Sequence, residues 1–131
     1  MENEIIYLDT SVLIDYYRKK VKAKSFFYEL TESYKLFAVS AITEYEILMG
    51  SNEAEDSFWT AFFDKIIVLP YTREVNLVAI NIYRNLKAKN KLIDIPDLLI
   101  GATALKNSLR MATLNRKHFE RIDGLTIIDR K

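Results

Sequence analysis

Carboxylates are the side chains of this sequence whose positions best suit chemistry. Asp9 follows the short apolar run Ile5–Leu8, and Glu46 lies in a helical segment after a second such run. Asp94 and Asp97 open a later helical segment and, being three residues apart, share roughly one helix face. Clustered carboxylates repel one another unless a cation neutralises them, and Mg²⁺ accepts oxygen ligands while keeping several waters. Such an ion polarises a phosphoryl oxygen and activates water for hydrolysis.

Each of these carboxylates also has a purely structural explanation. Asp9 would cap the helix that follows it. Glu46 would satisfy backbone N–H groups in a capping box that begins at Thr43. Asp94 and Asp97 would be favourable charges in the first turn of a helix, because the helix dipole stabilises negative charge there. Residue types and spacing leave both explanations open.

The composition excludes several other kinds of site. The 131 residues contain no cysteine, which rules out disulfides, thiol catalysis and cysteine-based metal sites. The three glycines form neither a phosphate-binding loop nor a dinucleotide fingerprint. His118 is the only histidine, so sites that need several are excluded. The formal net charge of +1 neither indicates nor excludes a nucleic-acid partner, because the distribution of charge matters more than its sum.

Short apolar runs alternate with helical patterns along the chain. The predicted strands cover residues 5–8, 36–39, 66–69, 111–114 and 126–128. The predicted helices cover residues 10–20, 25–33, 41–49 and 53–65, a long helix that Thr72 caps and that reaches about Asn90, a segment opened by Asp94 and Pro96, and residues 116–121. This alternation predicts a three-layer α/β/α sandwich with a central, mainly parallel sheet of about 4–5 strands. Ligands bind at the carboxyl ends of such strands, where Asp9 and the helix of Asp97 would converge.

Length and composition predict a single domain over residues 1–131 and a cytoplasmic location. Apolar residues make up 50% of the chain and charged residues 28%, as is typical of globular proteins. Residues 1–4 are acidic, whereas a secretory signal begins with basic residues and continues with a longer apolar stretch. The apolar runs are shorter than a membrane span, so no membrane partner is expected.

Four segments, taken together, form a recognisable set of motifs. Residues 6–15 have the sequence IYLDTSVLID, and residues 40–50 have SAITEYEILMG. Residues 97–105 have DLLIGATAL, and residues 112–119 have ATLNRKHF, with the pair GL at 124–125. In this order and without large insertions, they resemble the four motifs of PIN-domain ribonucleases, in particular VapC-like toxins of toxin–antitoxin pairs. The resemblance spans nearly the whole chain.

The resemblance implies a PIN fold and an endoribonuclease that depends on Mg²⁺ or Mn²⁺ and hydrolyses RNA phosphodiester bonds. It also implies a homodimer, inhibited by a cognate VapB-like antitoxin, in the cytoplasm of a prokaryotic cell. Carried over residue by residue, the metal-binding acids are Asp9, Glu46 and Asp97. Glu46 is preferred over Glu44 because it lies four residues before Gly50, as the family's second acid does.

Other residues of the motifs have supporting roles by the same resemblance. Thr10 and Ser11 would hydrogen-bond a metal-bound water or position Asp9, with helix capping as the alternative. Asp94 does not stand at an acid position of the family, so we expect it to cap its helix or to support the metal-binding residues. Position near this edge of the sheet, rather than the resemblance, makes Arg116, Lys117 and Arg121 candidates for contact with RNA phosphates. His118 is a further candidate RNA contact, with a surface or packing role as the alternative.

Asn115 completes the catalytic set of Asp9, Glu46 and Asp97, but it departs from the family pattern. Many family members have an aspartate at this position. The amide of Asn115 still offers an oxygen, but it lacks the charge that would hold a second metal ion. The substitution therefore predicts weaker metal binding, or one well-held ion rather than two.

A basic stretch has two explanations. It is either a solvated loop between helices or a contact for the RNA backbone, which needs positive charge more than specific geometry. Its members are Arg18, Lys19, Lys20, Lys22 and Lys24.

Two other functions remain open. The first is a catalytically weak PIN-like module that binds RNA or a partner protein, with Asn115 as the mark of lost activity. The second is a metal-dependent phosphohydrolase that acts on small phosphate esters. RNA cleavage in the presence of Mn²⁺ would separate the nuclease from the binding module. Turnover of small substrates without RNA cleavage would favour the phosphohydrolase.

Overall fold

Five parallel strands form one sheet in a computed structural model of the protein, which describes residues 3–130. The sheet has the order β3-β2-β1-β4-β5, and β1 pairs with both β2 and β4. The chain therefore adds strands on one side of β1 and then on the other, which creates a switch point between β1 and β4. The strands are β1 (Ile5–Leu8), β2 (Leu36–Ser40), β3 (Ile67–Leu69), β4 (Met111–Ala112) and β5 (Ile127–Ile128).

Seven α-helices in the described part of the chain connect these strands. A short 3₁₀ helix, Lys22–Lys24, was not predicted. No helix within residues 3–130 combines the length and apolar character needed to cross a bilayer. The helices are α1 (Thr10–Arg18), α2 (Phe26–Thr31), α3 (Ala41–Gly50), α4 (Glu53–Asp64), α5 (Arg73–Ala88), α6 (Ile95–Lys106) and α7 (Arg116–Phe119).

The predicted α/β fold is confirmed, and the predicted elements differ from the observed ones at their ends. Thr72 caps α5, where its hydroxyl accepts a hydrogen bond from the backbone N–H of Val75 at 3.3 Å. The predicted fourth strand is too long by two residues. Thr113 and Leu114 leave the sheet because both make hydrogen bonds to residues that follow β1.

The central strand β1 is buried on both faces, as the three layers require. Ile6 and Leu8 face a core formed with α1, α2 and α4, which includes Trp59. Tyr7 faces the opposite core, formed with α5 and α6. Alternate residues of a strand point to opposite faces, so the uninterrupted apolar run of β1 matches its central position. Most aromatic side chains of α1, α2 and α4 pack against one another in the first core.

Arg110 ties together the strand ends that lie opposite the carboxylates. Its Nε and Nη2 atoms donate to the two carboxylate oxygens of Glu4 at 2.6 and 2.8 Å. Nη2 also donates to the hydroxyl of Tyr34 at 2.9 Å. Glu4 precedes β1, Tyr34 precedes β2 and Arg110 precedes β4, so one guanidinium links three neighbouring strands. A two-point pair of this kind is stronger and more directional than a single charged hydrogen bond.

Replacing Arg110 with alanine should lower the free energy of unfolding by about 1 kcal/mol, because it removes the two-point pair and the bond to Tyr34. Urea denaturation followed by circular dichroism measures the change. Lys65→Ala, an exposed cation that follows α4, is the matched control and should change stability by less than about 0.5 kcal/mol. Equal losses in the two variants would contradict a role for the Arg110 network.

Candidate active site

Asp9 lies inside the protein at the carboxyl end of β1. The residue is only 3% exposed. Its Oδ1 atom accepts hydrogen bonds from the backbone N–H of Ser11 at 3.0 Å and from the Ser11 hydroxyl at 2.6 Å. Its Oδ2 atom accepts a hydrogen bond from the Thr113 hydroxyl at 2.8 Å. Asp9 therefore does cap α1, but it is also a buried carboxylate held at both oxygens.

The two hydroxyls that bind Asp9 are themselves oriented by the loop after β4. The backbone N–H of Leu114 donates to Ser11 Oγ at 3.0 Å, and the backbone N–H of Asn115 donates to Thr113 Oγ1 at 2.8 Å. Each hydroxyl accepts one bond from the backbone and has one proton, so that proton points to Asp9. The sequence analysis gave Thr113 no role. Its place just after a strand and two residues before Asn115 was the signal available.

Burial changes the acidity of Asp9. It raises the pKa of this carboxyl from its ordinary value of 3.8 to about 6, and the nearby charge of Asp97 acts in the same direction. Hydrogen bonds from Ser11, Thr113 and the N–H of Val12 lower the pKa, but burial outweighs them. The ionised carboxylate is therefore destabilised in this position, and a bound cation would offset that effect.

Glu46 is held against α1 rather than against its own helix. Its Oε1 atom accepts a hydrogen bond from the Thr10 hydroxyl at 2.9 Å, and that hydroxyl lies 3.0 Å from the hydroxyl of Thr43. The capping-box explanation is wrong, because Ser40 is the N-cap of α3. Thr10 follows Asp9 in the chain, so its hydrogen bond holds the carboxylate of Glu46 close to the start of α1.

Asp97, in the first turn of α6, meets two side chains from the region after β4. Its Oδ2 atom lies 3.0 Å from Nδ1 of His118 and 3.5 Å from Nδ2 of Asn115, and these two nitrogens are 2.9 Å apart. Nδ1 of His118 cannot donate to Asp97 and accept from Asn115 at the same time. The three side chains therefore allow two arrangements, which differ in the tautomer of the ring and in which end of the Asn115 amide faces it.

Packing around α6 fixes the position of Asp97. The hydroxyl of Tyr7, in β1, donates to the backbone carbonyl of Ile100 at 2.7 Å. On the other side, a Cβ atom on Gly101 would lie only 2.5 Å from Cδ1 of Ile122, in the turn after α7. The absence of a side chain at Gly101 thus lets the α7 segment approach α6, which places His118 beside Asp97.

Asp94 does not cap α6 with its side chain, which was one of the two roles predicted for it. It occupies the N-cap position of α6, but its exposed side chain makes no capping hydrogen bond with any described residue. Its neighbour Pro96 needs no N–H partner in the first turn, which lessens the need for a side-chain cap.

The carboxylates, the amide of Asn115 and the hydroxyls lie at the carboxyl ends of β1 and β4 and on the adjoining helices. Within residues 3–130, no three acidic or histidine side chains, as they stand, lie close enough together to ligate one ion. The donor set still fits Mg²⁺ chemically. This ion prefers oxygen ligands and is usually bound through one or two carboxylates, waters and substrate phosphates.

Two cations of the basic stretch contact other groups of the protein. Nζ of Lys22 donates to the carbonyls of Tyr16 and Tyr17 at 2.7 and 2.6 Å, and so caps the C-terminus of α1. Lys19 pairs with Asp15 at 3.5 Å. Two of the five cations are therefore engaged with the protein itself, and the other three leave both explanations of the stretch open.

Among the predicted RNA contacts, Arg116 is engaged as well. Its Nε atom lies 3.3 Å from Glu120, and its Nη1 atom pairs with Asp129. Lys117 is exposed and makes no ion pair with any residue in the range 3–130. Of these two cations, Lys117 is therefore the one with its charge open to a ligand.

The fold and this site define a protein class, and comparison with known proteins agrees. The PIN domain family matches residues 6–125, and the chain belongs to this family. It is 35% identical to Ribonuclease VapC1 of Methanocaldococcus jannaschii, over 98% of this chain and 90% of that protein. It is 28% identical to Ribonuclease VapC19 of Mycobacterium tuberculosis, over 86% and 90% of the two chains.

Solved structures show the same similarity. DNA-bound VapBC from Salmonella typhimurium has a chain with a TM-score of 0.83 and 25% identity, covering 98% of this chain and 99% of that one. VapBC-1 from nontypeable Haemophilus influenzae has a chain with a TM-score of 0.79 and 25% identity, covering 95% and 97%. The predicted resemblance to VapC-like proteins is therefore confirmed.

The raised pKa of Asp9 predicts how stability changes with pH. Between about pH 4 and pH 6 Asp9 is more fully protonated in the folded protein than in the unfolded chain, so its contribution to metal-free stability should fall as pH rises through this range. Asp9→Asn should remove this fall and raise the free energy of unfolding at pH 7.5 by up to about 3 kcal/mol. Urea denaturation in EDTA across this pH range measures both effects.

Asp64→Asn is the matched control for this experiment. Asp64 is an exposed carboxylate at the end of α4, before the N-terminal end of β3. This variant should keep the pH dependence of the unmodified protein. A similar profile for Asp9→Asn would show that the folded protein does not raise the pKa of Asp9.

Proposed function

We propose that this protein is a metal-dependent endoribonuclease of the VapC type, which hydrolyses RNA phosphodiester bonds. The observation that carries the proposal is the buried carboxylate of Asp9, held at both oxygens at the sheet edge that also receives Glu46 and Asp97. A destabilised ionised carboxylate at such a place has a direct use as a ligand for a cation. The likeness to Ribonuclease VapC1 of M. jannaschii supports the same activity.

Asp9, Glu46 and Asp97 would hold Mg²⁺ or Mn²⁺. When bound, such an ion polarises the phosphoryl oxygen and makes water nucleophilic near neutral pH. Ser11 and Thr113 keep the carboxylate of Asp9 in one orientation, because both of its oxygens receive their hydroxyl protons.

Neighbouring side chains position the other two acids. Thr10 holds Glu46 near Asp9 through its hydroxyl. Depending on the tautomer of the ring, either His118 or Asn115 donates a hydrogen bond to Oδ2 of Asp97 from the side of α7. Asn115 contributes no charge, so the site has three carboxylates to balance one divalent ion.

Regulation by a protein inhibitor is the second part of the proposal. The structural relatives from S. typhimurium and H. influenzae are VapBC assemblies, which supports a VapB-like antitoxin as the partner of this chain. We propose a homodimer that acts in the cytoplasm. Exposed apolar side chains on α5, at Leu77, Ile80 and Tyr83, support self-association.

Cleavage of RNA tests the activity and the acid site together. The purified protein, freed of any antitoxin, should cut total RNA that includes tRNA into discrete fragments with Mg²⁺ or Mn²⁺ but not with EDTA. Asp9→Asn should slow cleavage by at least about a hundredfold, because it removes a charged metal ligand. Gel electrophoresis of the RNA gives the rates, and Asp64→Asn should cleave as the unmodified protein does.

Two results would favour the alternatives. No cleavage with either metal ion by a folded protein would favour a module that binds RNA or a partner protein. Hydrolysis of small phosphate esters without RNA cleavage would favour a phosphohydrolase. Cleavage retained by Asp9→Asn would remove the metal-binding role of this residue.

The amide at Asn115 predicts the number of metal ions. Calorimetric titration with Mn²⁺ should show one tight site per chain in the unmodified protein. Asn115→Asp should tighten Mn²⁺ binding by about tenfold or create a second site, because it adds a carboxylate beside Asp97. Two tight sites in the unmodified protein would contradict the prediction.

A further inference from the structure

A groove lined entirely by charged side chains lies between the loop after α5 and the segment formed by α7 and the turn that follows it. Its volume is about 610 Å³. Arg121 connects the two sides, because its Nη1 atom donates to the backbone carbonyls of Lys91 and Leu92 at 3.4 and 3.0 Å. The lining residues are Lys89, Lys91, Lys117, Glu120, Arg121 and Asp123.

Positive charge exceeds negative charge in this groove. Two carboxylates face four cations, and Glu120 is already paired with Arg116, which does not line the groove. Asp123 pairs with Lys89 at 3.2 Å. Lys91 and Lys117 are exposed, and neither forms an ion pair within the described part of the chain. These two ammonium groups are therefore available to an anionic ligand.

Both walls of the groove belong to chain segments that also carry residues of the candidate active site. Lys91 lies six residues before Asp97, in the loop that leads into α6. Lys117 is next to His118, whose ring contacts Asp97. The groove is therefore joined to the carboxylate edge at Asp97 through the start of α6 on one wall and through α7 on the other.

We propose that this groove holds backbone phosphates of the RNA on one side of the bond that is cut; the inference rests on the proposed endoribonuclease function. Phosphate contacts need positive charge and tolerate any base sequence. An acidic protein segment is the competing ligand. The lining argues against it, because protein interfaces have apolar or aromatic anchors at their centre and this groove has none among its lining residues.

Binding of RNA to the uncleaving Asp9→Asn protein tests this surface apart from catalysis. The probe is a fluorescein-labelled, single-stranded RNA of random sequence, and its anisotropy is followed over a range of salt concentrations. Adding K91Q and K117Q should weaken binding by about tenfold at low salt. The slope of log K against log salt should fall by about 1.4, because each lost phosphate contact contributes about 0.7 for single strands.

The matched control is the pair K65Q and K106Q, also in the Asp9→Asn protein. Lys65 follows α4, and Lys106 ends α6, about 14 Å along the helix from Asp97. Both are exposed lysines, so this pair removes the same charge from other parts of the surface. RNA affinity should then change by less than about twofold, since distant exposed charges are largely screened by salt. Circular dichroism confirms that both variants are folded.

Three results would overturn the assignment. The first is unchanged RNA binding after K91Q and K117Q, and the second is an equal loss in the control pair. The third is loss of polyglutamate binding with RNA binding retained, which would assign the groove to an acidic protein.

Cleavage assays separate this inference from the proposed function. In the catalytically intact protein, K91Q and K117Q should raise KM for RNA by about tenfold with little change in kcat, because they remove binding away from the reacting bond. An unchanged KM would contradict the groove assignment alone. Absence of cleavage by the unmodified protein, with the expected loss of RNA binding in the variants, would contradict the nuclease alone.

Discussion

A carboxylate buried at the end of the central strand is the constraint on which the rest of the site depends. Asp9 has almost no contact with solvent, and its burial raises the pKa of the carboxyl to about 6 in spite of the hydrogen bonds that lower it. The protein provides two hydroxyls and one capping N–H, which favour the ionised form without outweighing burial. The folded chain is therefore more stable without this charge. A cation bound to Asp9, as proposed above, would offset the cost of this buried charge.

The topology explains how distant parts of the chain meet around that carboxylate. β1 lies at the centre of the sheet, and the order of strands reverses beside it, between β1 and β4. Asp9 follows β1, Thr113 follows β4, and Glu46 lies on the helix after β2. The hydrogen bond between Thr113 and Asp9 joins residues 104 positions apart in the sequence. The bond between Thr10 and Glu46 joins residues 36 positions apart. The site is therefore a product of the strand order and not of any one segment.

Local sequence patterns predicted the elements but not the long-range hydrogen bonds. Apolar runs and the cap at Thr72 located strands and helices, and the family resemblance selected Asp9, Glu46 and Asp97. The role of Thr113 could not be predicted, because the Thr113 hydroxyl reaches the carboxylate of Asp9 only after β4 has paired with β1. The same holds for Lys22, whose ammonium caps α1 after the chain turns back on itself. Spacing also made Thr43 a plausible cap, although the chain enters α3 at Ser40 instead.

The Arg110 network has a consequence for how such a protein can diversify. It holds β1, β2 and β4 together at their N-terminal ends, whereas every residue of the candidate active site lies at or beyond their carboxyl ends. The bonds that hold the strands together and the candidate site therefore lie at opposite ends of the sheet, here called the anchored pole and the carboxyl pole. Loops at the carboxyl pole, such as the one that carries Lys91, can change in sequence without loosening the anchored pole. This arrangement lets one scaffold acquire new substrate preferences while it keeps the same framework.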